Sequence, residues 1–200
     1  MSAGHRDWRV TRAAPARSAQ TLAYPGTGLA VRIGARKDYE RGLMWIKPSF
    51  LWMMYRSGWG TKEGQETILA VEMSREGFEW ALEHACLSHY EDGLHADRAT
   101  WRRQLKLAPA RVQWDPERDL HLQSLPHRSL QLGLAGEAAH RYADEWITTI
   151  SDVTPLAHTI HGHVRAGDLD AARQLLPRER PYPVGHVALS HLSQTAATAK

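Results

Sequence analysis

Residues 111–134, RVQWDPERDLHLQSLPHRSLQLGL, decide the fold of this chain. Arg111–Trp114 and Leu120–Gln123 flank Asp115-Pro116-Glu117-Arg118. A proline directly after an aspartate suits the second position of a type I turn, because its ring presets φ there. The pair therefore reads as a β-hairpin. Arg128–Leu134 alternates polar and apolar residues, the period of a half-buried strand.

Downstream the period changes. Gly136 opens a helical pattern with Ala138, Tyr142, Trp146 and Ile150 near one face and Glu137 in its first turn. Thr154-Pro155 predicts a helix start by capping and fixed φ, Gly167 its end, and Asp168–Leu176 a last short helix. Upstream, the short apolar run Thr67–Met73 reads as a buried strand. Ser74 can cap a helix in which Phe78, Leu82 and Ala85 share a face. Asp92–Leu107 fits either a loop or a short helix. Hairpin signals outnumber βαβ alternation, so the expected fold is α+β, a single domain with a mostly antiparallel sheet and flanking helices.

Composition agrees with one core. The chain has 200 residues, 42% of them hydrophobic, enough for one domain. A net charge of +3 permits a nucleic-acid or nucleotide partner without demanding one. Cys86 is the one cysteine, which excludes an internal disulfide and fits a reducing cytoplasm. No apolar run approaches the roughly 18 residues of a membrane span, so no membrane partner is expected. Residues 1–42 are basic and poorly patterned: no acid separates Asp7 from Asp38, while Arg9, Arg12, Arg17, Arg32, Arg36 and Lys37 accumulate. That segment reads as a loosely ordered tail or a phosphate-tracking arm, and residues 185–200 as a frayed end. The domain proper is expected over 43–184.

Residues 45–60, WIKPSFLWMMYRSGWG, are the least ordinary stretch. They predict a short strand at Met44–Lys47, a two-turn helix at Ser49–Arg56 with Pro48 at its start, and a glycine-flanked loop carrying Trp59. Phe50, Met53 and Met54 have core spacing. Lys47, Ser49, Trp52, Tyr55, Arg56 and Trp59 are the candidate ligand-binding set, because cations beside aromatic rings suit an anionic, ring-bearing ligand. Plain packing explains the same aromatics.

The familiar catalytic signatures are absent: no HExxH, GxSxG, GxxxxGK[ST] or GxGxxG occurs. Neither His158, His161 and His163 nor His84, Cys86 and His89 promise convergent ligands, so no metal is expected. Gln131, mid-strand, and Glu137, at a helix start, are the candidate catalytic residues; a solvent-facing strand position and a helix-dipole partner are their plain alternatives.

WIKPSFLWMMYRSGWG, GFEWALEHACLSHY, VQWDPERD, RSLQLGLAGEAAHRYADEWITTISDVTPLA and GDLDAARQLLPRERPYP together closely resemble the bacterial and fungal domain-of-unknown-function family 4291. The likeness covers residues 43–184. Members of that family resemble ADP-ribosyltransferases, which implies an ADP-ribosyltransferase-like fold, NAD as substrate, and a nucleic-acid base, cytosine in particular, as acceptor. The chain departs from the family in residues 10–42, which keep only Leu22-Ala23-Tyr24 of the usual first strand. It also lacks an acid two positions after Gln131, where Gly133 stands.

On that reading Arg56 and Lys47 hold a pyrophosphate, Trp52, Tyr55 or Trp59 stacks a ring, and Glu137 stabilises an oxocarbenium-like ribose with Gln131 reading a base edge. The partner would be single-stranded DNA or RNA. The alternative is a catalytically inert nucleic-acid or nucleotide-binding module using the same side chains. A third reading makes the Trp block a structural core and the protein an interaction module.

Overall fold

The computed structural model describes residues 11–12, 43–179 and 182. In chain order the elements are β1 (Thr11–Arg12), β2 (Leu43–Ile46), α1 (Phe50–Ser57), β3 (Leu69–Met73), α2 (Arg75–Glu83), β4 (Ala85–Leu87), α3 (Arg98–Leu107), β5 (Ala110–Arg118), β6 (Ser124–Ala135) and α4 (Gly136–Arg141). A π-helical turn (Tyr142–Trp146), β7 (Ile147–Asp152), α5 (Thr154–Ala166) and α6 (Leu169–Leu175) complete the described chain. The expected tails at 1–42 and 185–200 lie outside the described residues apart from β1.

Two sheets carry the α+β domain. β6 is the spine of the larger, five-stranded one: β5 lies along one edge, and both β1 and β2 pair with the other. β4 extends the sheet beyond β5 in parallel, so the sheet is mixed; every other pairing is antiparallel. β3 and β7 form a separate antiparallel pair. It is tied to α5 through Thr154, whose hydroxyl accepts from Ile68 N at 2.8 Å.

The hairpin exists, but its turn is not where Asp115-Pro116 suggests. β5 runs straight through Pro116 to Arg118, and the chain reverses at Asp119–Gln123. Asp119 accepts from Gln123 N through its side chain at 2.8 Å, and Leu122 takes a left-handed φ of 62°. Pro116 is tolerated because the ladder slips between Pro116 and Arg118, so the missing N–H coincides with an irregular pairing. Leu120–Gln123 is consequently turn and not strand.

Other expectations shift for local reasons. Pro48 precedes α1, and Ser49 is the cap, its hydroxyl accepting from Trp52 N at 3.3 Å. Ala85 belongs to β4, because α2 stops at Glu83. The helix opened by Gly136 gives way to a π turn and then a strand, so Ile150 lies in β7 and stands exposed. The β-branched run Ile147-Thr148-Thr149-Ile150 favours that strand. Val153 occupies the cap position of α5 and Thr154 its first turn. Asp92–Leu107 resolves into a loop and α3, which Asp97 caps through Thr100 N at 2.7 Å.

The described residues form two apolar cores. The first joins one face of the large sheet (Val112, Trp114, Leu130, Leu132, Leu134) to Phe78, Leu82, Tyr142 and Trp146. The second surrounds α1 and the hairpin tip, with Phe50, Met53, Met54, Trp59, Leu120 and Ile160. Phe50, Met53 and Met54 are thus core, as their spacing implies.

α2 approaches the π turn so closely that Gly77 has no room for a side chain. A Cβ there would sit 2.3–2.6 Å from the Trp146 indole. Gly77→Ala should therefore cost about 2 kcal/mol or more despite alanine's better helix propensity, read as a lower urea midpoint at unchanged m. An unchanged or higher midpoint would show that Trp146 moves aside freely.

Candidate site at the start of the first helix

Between the two cores the chain is polar. Going from Ile46 to Phe50 it passes Lys47 and Ser49; going from Trp114 to Leu120 it passes Asp115, Glu117 and Arg118. These two stretches meet. The Lys47 side chain is 2% exposed, its Nζ donating to Ser129 O at 2.9 Å and lying 3.7 Å from Asp115 Oδ2. Ser49 Oγ donates to Glu117 Oε1 at 2.6 Å, and Arg118 N donates to the same oxygen at 2.9 Å. Glu117 is 1% exposed, and its Oε2 has no hydrogen-bond partner among the described residues. Asp115 and Gln113 share a strand face, where Gln113 Nε2 donates to Asp115 Oδ1 at 2.8 Å.

Burial is the largest influence on Lys47 and drives its ammonium pKa down to about 8, although Asp115 and Glu117 pull the other way. The cost of desolvating the cation therefore exceeds what the two carboxylates return. α1 faces this cluster with its N-terminus, where partial positive charge favours the nearby Glu117. Glu179 also reaches that end, accepting from Phe50 N at 3.3 Å.

Outward of the buried charges lies an aromatic and cationic shelf. Tyr55, 39% exposed, carries the Arg118 guanidinium 3.7 Å over its ring. Trp52 is buried, with Lys47 Nζ 4.8 Å from its ring centre and the Arg56 guanidinium 5.7 Å from it. Arg56 itself is exposed and makes no ion pair among the described residues. Lys47, Ser49, Trp52, Tyr55 and Arg56 are thus assembled in one place, as five of the six ligand-binding candidates. Two of them, Lys47 and Ser49, are spent on internal partners.

Trp59 is placed differently. It is 3% exposed, stacked on His161 at 5.2 Å with planes 2° apart and edge-on to Phe50 at 6.3 Å. It takes a left-handed φ of 61° after the Gly58 cap, a conformation held by that packing. It is a core ring and not an open platform.

Gln131 faces the polar side of the sheet, opposite Gln113 in the ladder. Glu137 does not join it. The strand runs six residues from Ser129, beside Lys47, to Ala135, beside Leu43, a span of roughly 20 Å. Glu137 follows Ala135, whereas Trp59 packs at the hairpin tip near Leu120. The expectation that Glu137 shares an end of the sheet with the Trp59 loop is therefore corrected. Its side chain is 67% exposed and lies 3.9 Å from Arg141.

The sequence reading missed Asp115, Glu117, Arg118 and Ser129. The available signal was the alternation of Gln113, Asp115 and Glu117 on one strand face, hidden by the turn-like Asp-Pro pair.

The family described as domain of unknown function (DUF4291) matches residues 29–182. The chain belongs to this family. The match takes in every residue of the cluster and reaches upstream of residue 43, where the domain was expected to begin. No curated protein and no solved structure matches the chain. In this DUF4291 protein no group of three or more metal-ligating side chains converges among the described residues, and no described helix is long and apolar enough to cross a membrane.

The buried Lys47 gives a pH signature with a definite sign. Its folded pKa of about 8 lies below the ordinary 10.5, so the unfolded chain binds more protons between those values. Lys47's contribution to stability is thus fully present above pH 10.5 and lost as pH falls through 8. Denaturant titrations of wild type and Lys47→Met should diverge in the wild type's favour as pH rises through that window, by on the order of 3 kcal/mol. Parallel curves would mean that Lys47 stays hydrated.

Proposed function

We propose that this chain is an ADP-ribosyltransferase-like enzyme that binds NAD at the Tyr55–Arg56–Arg118 shelf and transfers ADP-ribose to a nucleic-acid base. One observation carries the reading: Glu117 is a buried carboxylate with one oxygen fixed by Ser49 and the Arg118 N–H, the other without a hydrogen bond among the described residues, directly behind an aromatic and cationic surface. The ADP-ribosyltransferase-like fold, the base acceptor and the use of NAD come from the family resemblance of residues 43–184. A reducing cytoplasm as its setting rests on the lone Cys86.

The chemistry follows from charge. The bond between ribose C1′ and the nicotinamide nitrogen breaks, and its electron pair neutralises the pyridinium. The acceptor nitrogen or oxygen forms the new bond to C1′ and releases a proton. The ribose is oxocarbenium-like in between, and a desolvated carboxylate stabilises that cation better than an exposed one. Glu117 takes the role first expected of Glu137. Arg56 and Arg118 hold the pyrophosphate, with Arg118 leaving Tyr55 as the ring of the ligand takes its place.

A non-catalytic nucleotide- or nucleic-acid-binding module is the second reading. The exposed Tyr55 and Arg56 beside the Arg118 guanidinium favour it, since an aromatic and cationic surface binds an anionic ring without a reacting carboxylate.

Incubation of the protein with NAD and mixed single-stranded oligonucleotides, read by mass spectrometry, separates the two. Transfer predicts an adduct of ADP-ribose on the oligonucleotide and free nicotinamide; a binding module gives neither. Glu117→Gln should lower turnover by roughly two or more orders of magnitude with little change in NAD affinity, while Glu137→Gln leaves activity intact. The reverse pattern would return the catalytic role to Glu137. Arg56→Ala, at an exposed position, should weaken NAD binding with the melting temperature barely moved.

A further inference from the structure

The surface around α3 has no part in the site above. Arg98, Arg102 and Lys106 are spaced four residues apart on this helix, which sets them in a row with a rise of about 6 Å per step. Arg103 flanks the row. All four are exposed, and none makes an ion pair among the described residues. The helix contains no acid. Two nearby acids are committed: Asp97 caps the helix and accepts from the Thr100 hydroxyl at 2.7 Å, and Asp92 hydrogen-bonds Tyr90. A third, Glu83, stands exposed on the rim of the adjoining cleft.

Aromatic rings sit at the N-terminal end of the same row. Tyr90, His95 and Trp101 form a partly exposed cluster with ring centres 5.7, 6.2 and 6.4 Å apart. Arg98 lies 4.6 Å over the Tyr90 ring, and Trp101 is locked from beneath by donating Nε1 to Leu87 O at 2.9 Å. Beside the helix opens a cleft of about 630 Å³ lined by His84, Cys86, His95, Gln104 and Leu107. Leu107 is 81% exposed there.

We propose that α3, the Tyr90–His95–Trp101 cluster and the adjoining cleft form a docking surface for single-stranded nucleic acid. A row of unpaired cations at helical spacing suits the successive phosphates of an extended strand, and partly exposed rings suit its unstacked bases. The cleft accepts one base, with His84, His95 and Gln104 offering its polar edge partners. An extended strand uses both, its phosphates meeting the cations at helical spacing and its bases meeting the rings and the cleft. This deepens the proposed transfer by naming where the acceptor is held. Cys86 pairs with Arg111 in the ladder, six residues along β5 from Glu117 and so roughly 20 Å away. The strand is therefore anchored a few nucleotides from the base that reacts.

The test is fluorescence anisotropy of a labelled mixed-sequence single-stranded DNA against full-length protein without NAD, so the surface and the transfer reaction can each fail alone. Arg98→Ala/Arg102→Ala/Lys106→Ala should bind tenfold or more weakly, with the slope of log affinity against log salt reduced by about 2 for three lost phosphate contacts. Tyr90→Ala should weaken binding several-fold and leave that slope unchanged. Should the triple variant not fold, Arg102→Glu carries the same test, because Arg102 makes no hydrogen bond, ion pair or ring contact among the described residues. Wild-type affinity and slope in these variants would overturn the proposal. So would a wild type that ignores the oligonucleotide and binds vesicles of anionic phospholipid.

Discussion

Everything about the candidate site depends on a lysine that has been taken out of water. Lys47 sits where β2 ends and α1 is about to begin, and its ammonium is bonded to a carbonyl of β6 and set beside a carboxylate of β5. Charge burial of this kind is costly, and its pKa near 8 shows that the cost is only partly offset. What the arrangement supplies is position. Three strands are referred to one atom, and α1 leaves that point in a fixed direction. Ser49 repeats the device two residues later by capping α1 with one lone pair and donating its proton to Glu117. Farther along the same helix, Tyr55 then meets the Arg118 guanidinium, and Arg56 lies over Trp52.

The cluster also explains why the domain has two cores. Ile46 and Trp114 belong to the first, Phe50 and Leu120 to the second. Both crossings are made by polar residues, and the polar residues of one crossing satisfy those of the other. Replacing Glu117 by a side chain without an acceptor would leave Ser49 and the Arg118 N–H without their shared partner. Replacing Lys47 alone would leave Asp115 its Gln113 hydrogen bond but take away its cation. Buried networks of this sort resist piecemeal change.

Periodicity made the strands legible, while tertiary contacts decided where they end. The hairpin, the Ser49 helix, the Ser74 cap and the Gly167 stop all follow from local rules that the final packing does not oppose. Asp115-Pro116 obeys an equally good local rule and is overruled. Glu117 gains more by reaching Ser49 from a strand than the chain gains by turning at Pro116. Residues 136–150 fail in a related way: Ala138, Tyr142 and Trp146 are buried as an amphipathic helix requires, yet a π turn delivers the last two. Of the site, Lys47, Ser49, Tyr55 and Arg56 could be named from their neighbours in sequence. Asp115, Glu117 and Ser129 could not, because they come from 68 to 82 residues away along the chain. Trp59 packs as core for the same reason, since its partner, the His161 ring, comes from far along the chain.

The contrast between Glu117 and Glu137 turns on dielectric. Two unit charges about 4 Å apart interact by roughly 1 kcal/mol in bulk water and roughly 4 kcal/mol at an effective dielectric near 20. Glu137 lives in the first environment: it is two-thirds exposed, and it already has Arg141 to answer. Glu117 lives in the second. A cation developing on a sugar beside Glu137 would be stabilised little more than by solvent. Beside Glu117 the same cation would meet a charge whose orientation is already fixed by Ser49 and the Arg118 backbone, so no reorganisation is needed when charge appears. The burial that would make Glu117 effective in the proposed transfer also hides it. Access then falls to Arg118, whose guanidinium is held at the surface by Tyr55 and by the Leu122 carbonyl at 3.2 Å. On the proposed reading an anionic, ring-bearing ligand replaces both contacts, a phosphate standing in for the carbonyl on Arg118 and a base for the guanidinium on Tyr55.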